Sequence, residues 1–177
     1  MGTPSIKYVP VEPQAGLPAY SATHSTPQVA IGYEARFNDV QSGSGNAGQC
    51  LAIYCQGSNV ASAGQFVQVV NGSAILLDSG NSASFYPIGI AGGALSATNR
   101  YGWVGVQGIF DNGAFTNSSF AAGARVALGS TAGQIGSVTA LGSGIRGIVL
   151  PVSYTSANSY LTVQMNSPFL IGITASN

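Results

Sequence analysis

From about Val29 onward the chain alternates short apolar runs with Gly, Asn, Ser and Ala, and nowhere does it sustain the i, i+3, i+4 spacing of an amphipathic helix. Runs of this length, bounded by turn-forming residues, predict strands at 31–37, 50–55, 66–70, 74–78, 85–91, 103–110, 125–128, 145–152, 160–165 and 169–174. The strongest local signal is Val67-Gln68-Val69-Val70, then Asn71-Gly72, then Ser73-Ala74-Ile75-Leu76. Asn-Gly accepts positive φ at both central positions of a type I′ turn, whose twist matches that of the flanking strands, so this segment predicts a hairpin. The 25 glycines, with many Ser, Thr, Asn and β-branched residues, disfavour helix. One short helix or turn is expected at 118–122. Ala-Gly-Gln recurs at Ala47, Ala63 and Ala132, which suggests recurring strand starts, but no constant period links the three. The pattern predicts an all-β fold, a compact barrel or sandwich.

The first 28 residues read differently. Five of the eight prolines (Pro4, Pro10, Pro13, Pro18 and Pro27) fall there, without apolar periodicity. Proline fixes φ, removes an amide donor and biases its predecessor to extended geometry, so 1–28 predicts an extended N-terminal arm ahead of a β-rich domain at 29–177. Chain termini order only where something holds them. The arm is therefore expected to lie across a neighbouring subunit, with a loose tail as the plain alternative.

Charge sharpens this picture. Five Lys and Arg stand against five Asp and Glu in 177 residues, a net charge of zero, where a soluble domain usually carries about a quarter of its residues charged. Solubility rests on charged, interspersed surfaces and a net charge away from zero, so self-association or burial against other subunits is the expectation. Hydrophobic residues make up 45% of the chain, which excludes wholesale disorder. No apolar run approaches the roughly 18 residues of a membrane-spanning helix. Residues 1–8 show no cationic stretch leading into an apolar run, so no secretory leader is expected. Asn71-Gly72-Ser73 and Asn117-Ser118-Ser119 fit the glycosylation triplet, but that reading requires secretion.

Cys50 and Cys55 stand five apart in an extended segment. The odd spacing puts their side chains on opposite faces, roughly 16 Å apart along the strand, whereas a disulfide needs Cα atoms within about 7 Å. Reduced thiols are expected. Two cysteines also fall short of a tetrahedral zinc set.

Enzymatic chemistry needs titratable groups gathered in a pocket, and few exist to gather. The single histidine, His24, lies in the arm, where an interfacial role outweighs a general-base role. Asp78 and Asp111 end predicted strands beside Ser-Gly and Asn-Gly; turn formation is the default for them, and an acid pair in one cleft the outside alternative. Gly43-Ser44-Gly45-Asn46-Ala47-Gly48 matches G-x-G-x-x-G in letters, but a strand is predicted after it where the dinucleotide fingerprint needs a helix. Five dispersed cations make a poor phosphate footprint, so nucleic acid is not an expected partner. No catalysis and no cofactor are expected. Arg36, Arg100, Arg125 and Arg146 remain, either as partner contacts through the planar guanidinium fork or as solvated strand ends.

Ile88-Gly89-Ile90-Ala91, then Arg100-Tyr101-Gly102-Trp103-Val104-Gly105-Val106-Gln107-Gly108, then Ala122-Gly123-Ala124-Arg125-Val126 resembles a pattern in small capsid proteins of tailed bacteriophages, the decoration or cement (head-stabilising) proteins. The resemblance spans roughly residues 30–175. It implies a compact, often β-tulip-like domain that forms homotrimers on the capsid exterior and bridges subunits of the major capsid protein, with terminal arms latching to them. Localisation in the virion after synthesis in the host cytoplasm is implied with it. The arm and the loops at 57–64 and 111–121 are additions to that pattern. On this reading the candidate partner contacts are Lys7, Tyr8, Val11, Tyr20 and His24 in the arm and Arg36 and Arg100 at strand ends. Trp103, the sole tryptophan, is either core filler or an interface anchor. The competing reading is a phage tail, fibre or surface adhesin module that binds carbohydrate through exposed Tyr and Asn.

Overall fold

The computed structural model describes residues 8–10, 16–39, 49–60, 62–78, 86–116, 119–137, 144–151, 153–154 and 159–170. It is all-β: no helix occurs among the described residues. The strands are β1 (Tyr8–Pro10), β2 (Thr23–His24), β3 (Glu34–Asp39), β4 (Gln49–Gly57), β5 (Phe66–Val70), β6 (Ser73–Leu76), β7 (Ile88–Ala91), β8 (Tyr101–Thr116), β9 (Val126–Leu128), β10 (Ile135–Ser137), β11 (Ile145–Val149) and β12 (Ser159–Leu170).

Strand pairing closes two small rings that share β8. In the first, β4 pairs β6 in parallel, and β6–β5, β5–β7, β7–β8 and β8–β4 are antiparallel. The second repeats that order: β8 pairs β10 in parallel, and β10–β9, β9–β11, β11–β12 and β12–β8 are antiparallel. Positive-φ glycines fall at matching joints. Gly64 precedes β5 as Gly123 precedes β9, and Gly72 precedes β6 as Gly133 precedes β10. Glycine is the residue that adopts this backbone without steric cost. Ala63-Gly64 and Ala132-Gly133 are therefore strand starts, as their triplets suggested, although they open different strands of the two rings.

Alternation along the strands sorts the core. Leu51, Ile53 and Cys55 of β4, Val67 and Val69 of β5, Ala74 and Leu76 of β6, Ala91 of β7, and Val104 and Val106 of β8 pack together inside the first ring. The opposite parity of the same strands, Cys50, Ala52, Tyr54, Phe66, Ile88, Ile90 and Trp103, joins a larger cluster with Val126, Ile135, Ile145, Ile148, Leu161, Val163 and Met165 of the second. Strands buried on both faces explain why runs such as Phe66–Val70 are nearly continuously apolar. Cys50 and Cys55 point to opposite faces, both buried and not joined in a disulfide, in agreement with their spacing. Asn71 (φ 49°) and Gly72 (φ 80°) form the expected hairpin turn between β5 and β6.

Three expectations need correction. Asp111-Asn112-Gly113 does not end a strand, because β8 continues to Thr116. In the register with β12, Phe110 faces Val163 and Ala114 faces Leu161, so the three turn-type residues are a bulge opposite one residue of β12. Residues 119–122, four of the five at which a short helix or turn was expected, hold no helix: Phe120 bridges to Tyr154 and a turn begins at Ala122. The predicted strand at 160–165 runs on as one strand through Leu170, while 171–174 lie outside the described residues.

Of residues 1–28, 8–10 and 16–28 are described, and both stretches lie against the chain's own body. β1 pairs β3, and β2 pairs the start of β8. Tyr20 is 1% exposed. Its ring meets Phe37 edge-on at 5.7 Å and Phe110 at 6.3 Å, and its hydroxyl donates to the Ile90 carbonyl at 2.9 Å. Trp103, also buried, packs edge-to-face on Phe37 and Tyr54, each at 5.0 Å, and its indole N–H donates to the Pro18 carbonyl at 3.1 Å. Of its two readings, the core position is the one found. Aromatic rings, rather than local strand pattern, hold 16–24 to the barrel.

Candidate functional site

A cleft lined largely by polar side chains opens where the two rings meet. Register fixes its geometry: Arg36 on β3 is opposite Leu51 on β4, Leu51 is opposite Gln107 on β8, and Gln107 is opposite Asn166 on β12. Residues directly opposite one another in a sheet present their side chains on the same face. One cross-strand row therefore carries a guanidinium and two amides over a leucine. Gln49 and Gln164 flank the row and complete the polar wall of a cavity of about 220 Å³.

Its floor depends on one glycine. Gly108 sits at φ 122°, and a Cβ there would stand 2.4 Å from the Gln49 carbonyl oxygen and 2.7 Å from Cys50 Cα. Only glycine lets β8 pass this close to β4 and also leave the regular ladder, which shifts register between Leu51 and Ala52. Leu51 and Ile109, both half-buried, supply apolar floor on either side.

Arg36, Gln49, Gln107, Gln164 and Asn166 are all exposed. Arginine offers five N–H donors and no acceptor, while each amide offers two donors and one acceptor. Among the described residues, the lining includes no carboxylate, imidazole or hydroxyl. Cys50 borders the cleft, but it is 1% exposed and packs into the larger core. The arrangement is equipped to hold a hydrogen-bonding or anionic group by its polar atoms, without a poised nucleophile or general base among the lining side chains.

The other candidate residues do not gather here. Tyr8 lies in β1 opposite Asp39. Tyr20, expected as a partner contact, is instead a core residue, with its hydroxyl already used inside the fold. His24 is half-buried in β2 opposite Tyr101, and its Nε2 is enclosed without a hydrogen-bond partner. Arg100 is exposed, with its guanidinium donating to the Ala97 carbonyl at 3.4 Å. Arg100 immediately precedes β8, and six residues separate it from Gln107, about 23 Å along an extended strand, so the two arginines serve different places on the surface. Lys7, Val11 and the Gly43–Gly48 loop lie outside the described residues. No group of three or more His, Cys, Asp or Glu able to hold a metal occurs among the described residues.

Sequence reasoning singled out Arg36 but missed the four amides around it. Exposed Gln and Asn on strands are ordinary residues in sequence, and only the pairing of β4 and β12 with β8 brings these together.

Two ionisations are displaced by burial. The Cys55 thiol, inside the first ring, is pushed up from 9.0 to about 12. The Tyr54 phenol is also raised, chiefly by burial, with a smaller lowering from the Gln28 amide that donates to it and a smaller raising from Tyr101. Both effects keep these groups neutral in the core.

Comparison with protein-family models, with curated proteins and with solved structures finds no match for this chain.

Proposed function

We propose that this chain is a structural virion protein that binds the outside of a phage capsid and stabilises it by bridging subunits of the major capsid protein, as a homotrimer and without catalysis. The observation that carries the reading is ionic poverty on a doubly closed β body: ten charged residues in 177 and a net charge of zero. A closed sheet leaves few open strand edges for indiscriminate pairing, so contacts fall to faces and clefts such as the one around Arg36. Several copies, each making modest contacts across subunit boundaries, gain strength through simultaneous engagement. The resemblance of the 88–126 segments to decoration proteins points the same way.

The role of the leading segment is narrower than a free arm of 28 residues. Residues 16–24 are committed to the body through Tyr20 and Trp103, so a latch would have to draw on 1–7 and 11–15. The alternative, a carbohydrate-binding fibre module, gains nothing from the cleft, because none of its described lining residues is an aromatic ring that could stack on a sugar face. The test is co-sedimentation of the purified chain with expanded heads of the phage that encodes it. Saturable binding with a fixed copy number per head is expected. Failure to pellet with heads, together with retention on a glycan array, would replace this reading with the fibre alternative.

A further inference from the structure

We propose that the cleft at the ring junction is a receptor for a single carboxylate side chain, a glutamate from the partner protein, clamped by Arg36 and the amides of Gln49, Gln107, Gln164 and Asn166. The proposal rests on the reading above for the identity of the partner, but the site can be tested without it.

The first argument is charge. A guanidinium presents its donors in a planar fork that matches a carboxylate, and charge-assisted hydrogen bonds of this kind are the strong ones. The described residues of the cleft lining include no acid. Glu34, two residues along the same exposed face of β3, lies outside that lining. A chain with five acids in all leaves this arginine open to an acid from elsewhere.

The second argument is the company Arg36 keeps. Four amide side chains, Gln49, Gln107, Gln164 and Asn166, are exposed on the cleft wall beside it. Their NH₂ groups can supply donors to carboxylate lone pairs that the guanidinium leaves unfilled, and their carbonyls can accept from backbone N–H groups next to an incoming side chain.

Size and floor decide the occupant. Sites for whole small molecules usually span roughly 300–1,000 Å³, and this one holds about 220 Å³. That volume suits one side chain. Leu51 and Ile109 offer apolar contact to a short methylene stem ending in a carboxylate, and no aromatic ring stands among the described lining residues for a pyranose.

The test is a ¹⁵N-edited NMR titration of the full chain at low ionic strength with Nα-acetyl-glutamate amide. Nα-acetyl-glutamine amide serves as the neutral isostere and glucuronate as the sugar-acid arm. Saturable shifts of the side-chain NH₂ signals of Gln49, Gln107, Gln164 and Asn166 with the glutamate probe are expected, at least several-fold weaker with glutamine and lost in Arg36→Gln. Glu34→Gln should tighten binding by removing a competing negative charge. No shift at these amides, equal shifts with the neutral probe, or tighter saturation by glucuronate would each overturn the proposal. Arg36 is exposed, so the Arg36→Gln spectrum should stay dispersed, and this separates lost binding from lost fold. The two readings part in a companion experiment. Head binding by Arg36→Gln equal to wild type would sink the receptor and spare the capsid role, whereas glutamate-probe binding without any head binding would do the reverse.

Discussion

Tyr20→Ala is the sharpest perturbation of the claim that residues 16–24 belong to the body. The substitution removes a 1%-exposed ring that touches Phe37 and Phe110, together with the hydroxyl bonded to the Ile90 carbonyl. Truncating a buried aromatic costs about 3–5 kcal/mol. In a domain of this length, about 1 kcal/mol lowers the melting temperature by roughly 2–4 °C, so a fall of about 6–20 °C is expected. Tyr20→Phe keeps the ring and removes only the hydrogen bond, for about 1 kcal/mol and a shift of a few degrees. Trp103 reports the transition by fluorescence, because it sits within the same aromatic cluster and donates to Pro18. A loose arm would behave otherwise. If Tyr20→Ala melted with wild type, the packing of this segment would be refuted and the arm reading of 16–24 restored.

Further outcomes follow from single positions. Gly105→Ala would place a Cβ 2.3 Å from two ring atoms of Phe110 and 2.7 Å from the Tyr20 hydroxyl, so overpacking should destabilise by about 1–3 kcal/mol in urea denaturation. Gly147→Ala meets a φ of 83° and the Asn166 carbonyl oxygen at 2.7 Å, at the bulge that lets Ile145 and Ile148 both face the core. Its loss of stability should exceed the roughly 1 kcal/mol of left-handed backbone alone. The thiols should resist a disulfide-exchange reagent in the native state and react on unfolding, since both are buried and Cys55 ionises only near pH 12. The same shift sets a pH dependence. The folded-state value is raised, so the contribution of Cys55 to stability is intact below its ordinary value of 9.0 and is lost as pH rises toward about 12. Cys55→Ala should flatten that alkaline decline in denaturation midpoints, and an unchanged decline would assign it to other groups.

How far the fold could be read in advance differed by element, for physical reasons. The β5–β6 hairpin was legible because Asn71-Gly72 specifies its turn locally, and the opposite faces of Cys50 and Cys55 followed from the two-residue period of a strand. β2 was not legible: two residues carry no period, and Thr23–His24 is extended because Tyr20 and Trp103 fasten its flank. β10 was missed because Ile135-Gly136-Ser137 is apolar at only one position, and its place comes from pairing with β9. Asp111-Asn112-Gly113 reads as a turn by composition, and the same residues make a bulge once β12 extends the ladder past them. The cleft was half-visible. Arg36 stood out as a scarce charge, whereas the amides around it depend on contacts distant in sequence, from Gln49 to Asn166.

Sedimentation velocity on the dilute full chain at physiological salt, across a wide concentration range, tests the central claim most directly. The proposal that a surface with so few ions is covered in its working state by other subunits predicts a stable trimer that also pellets with phage heads. A chain that remains a well-behaved monomer at every concentration, and stays in the supernatant when heads are added, would contradict it.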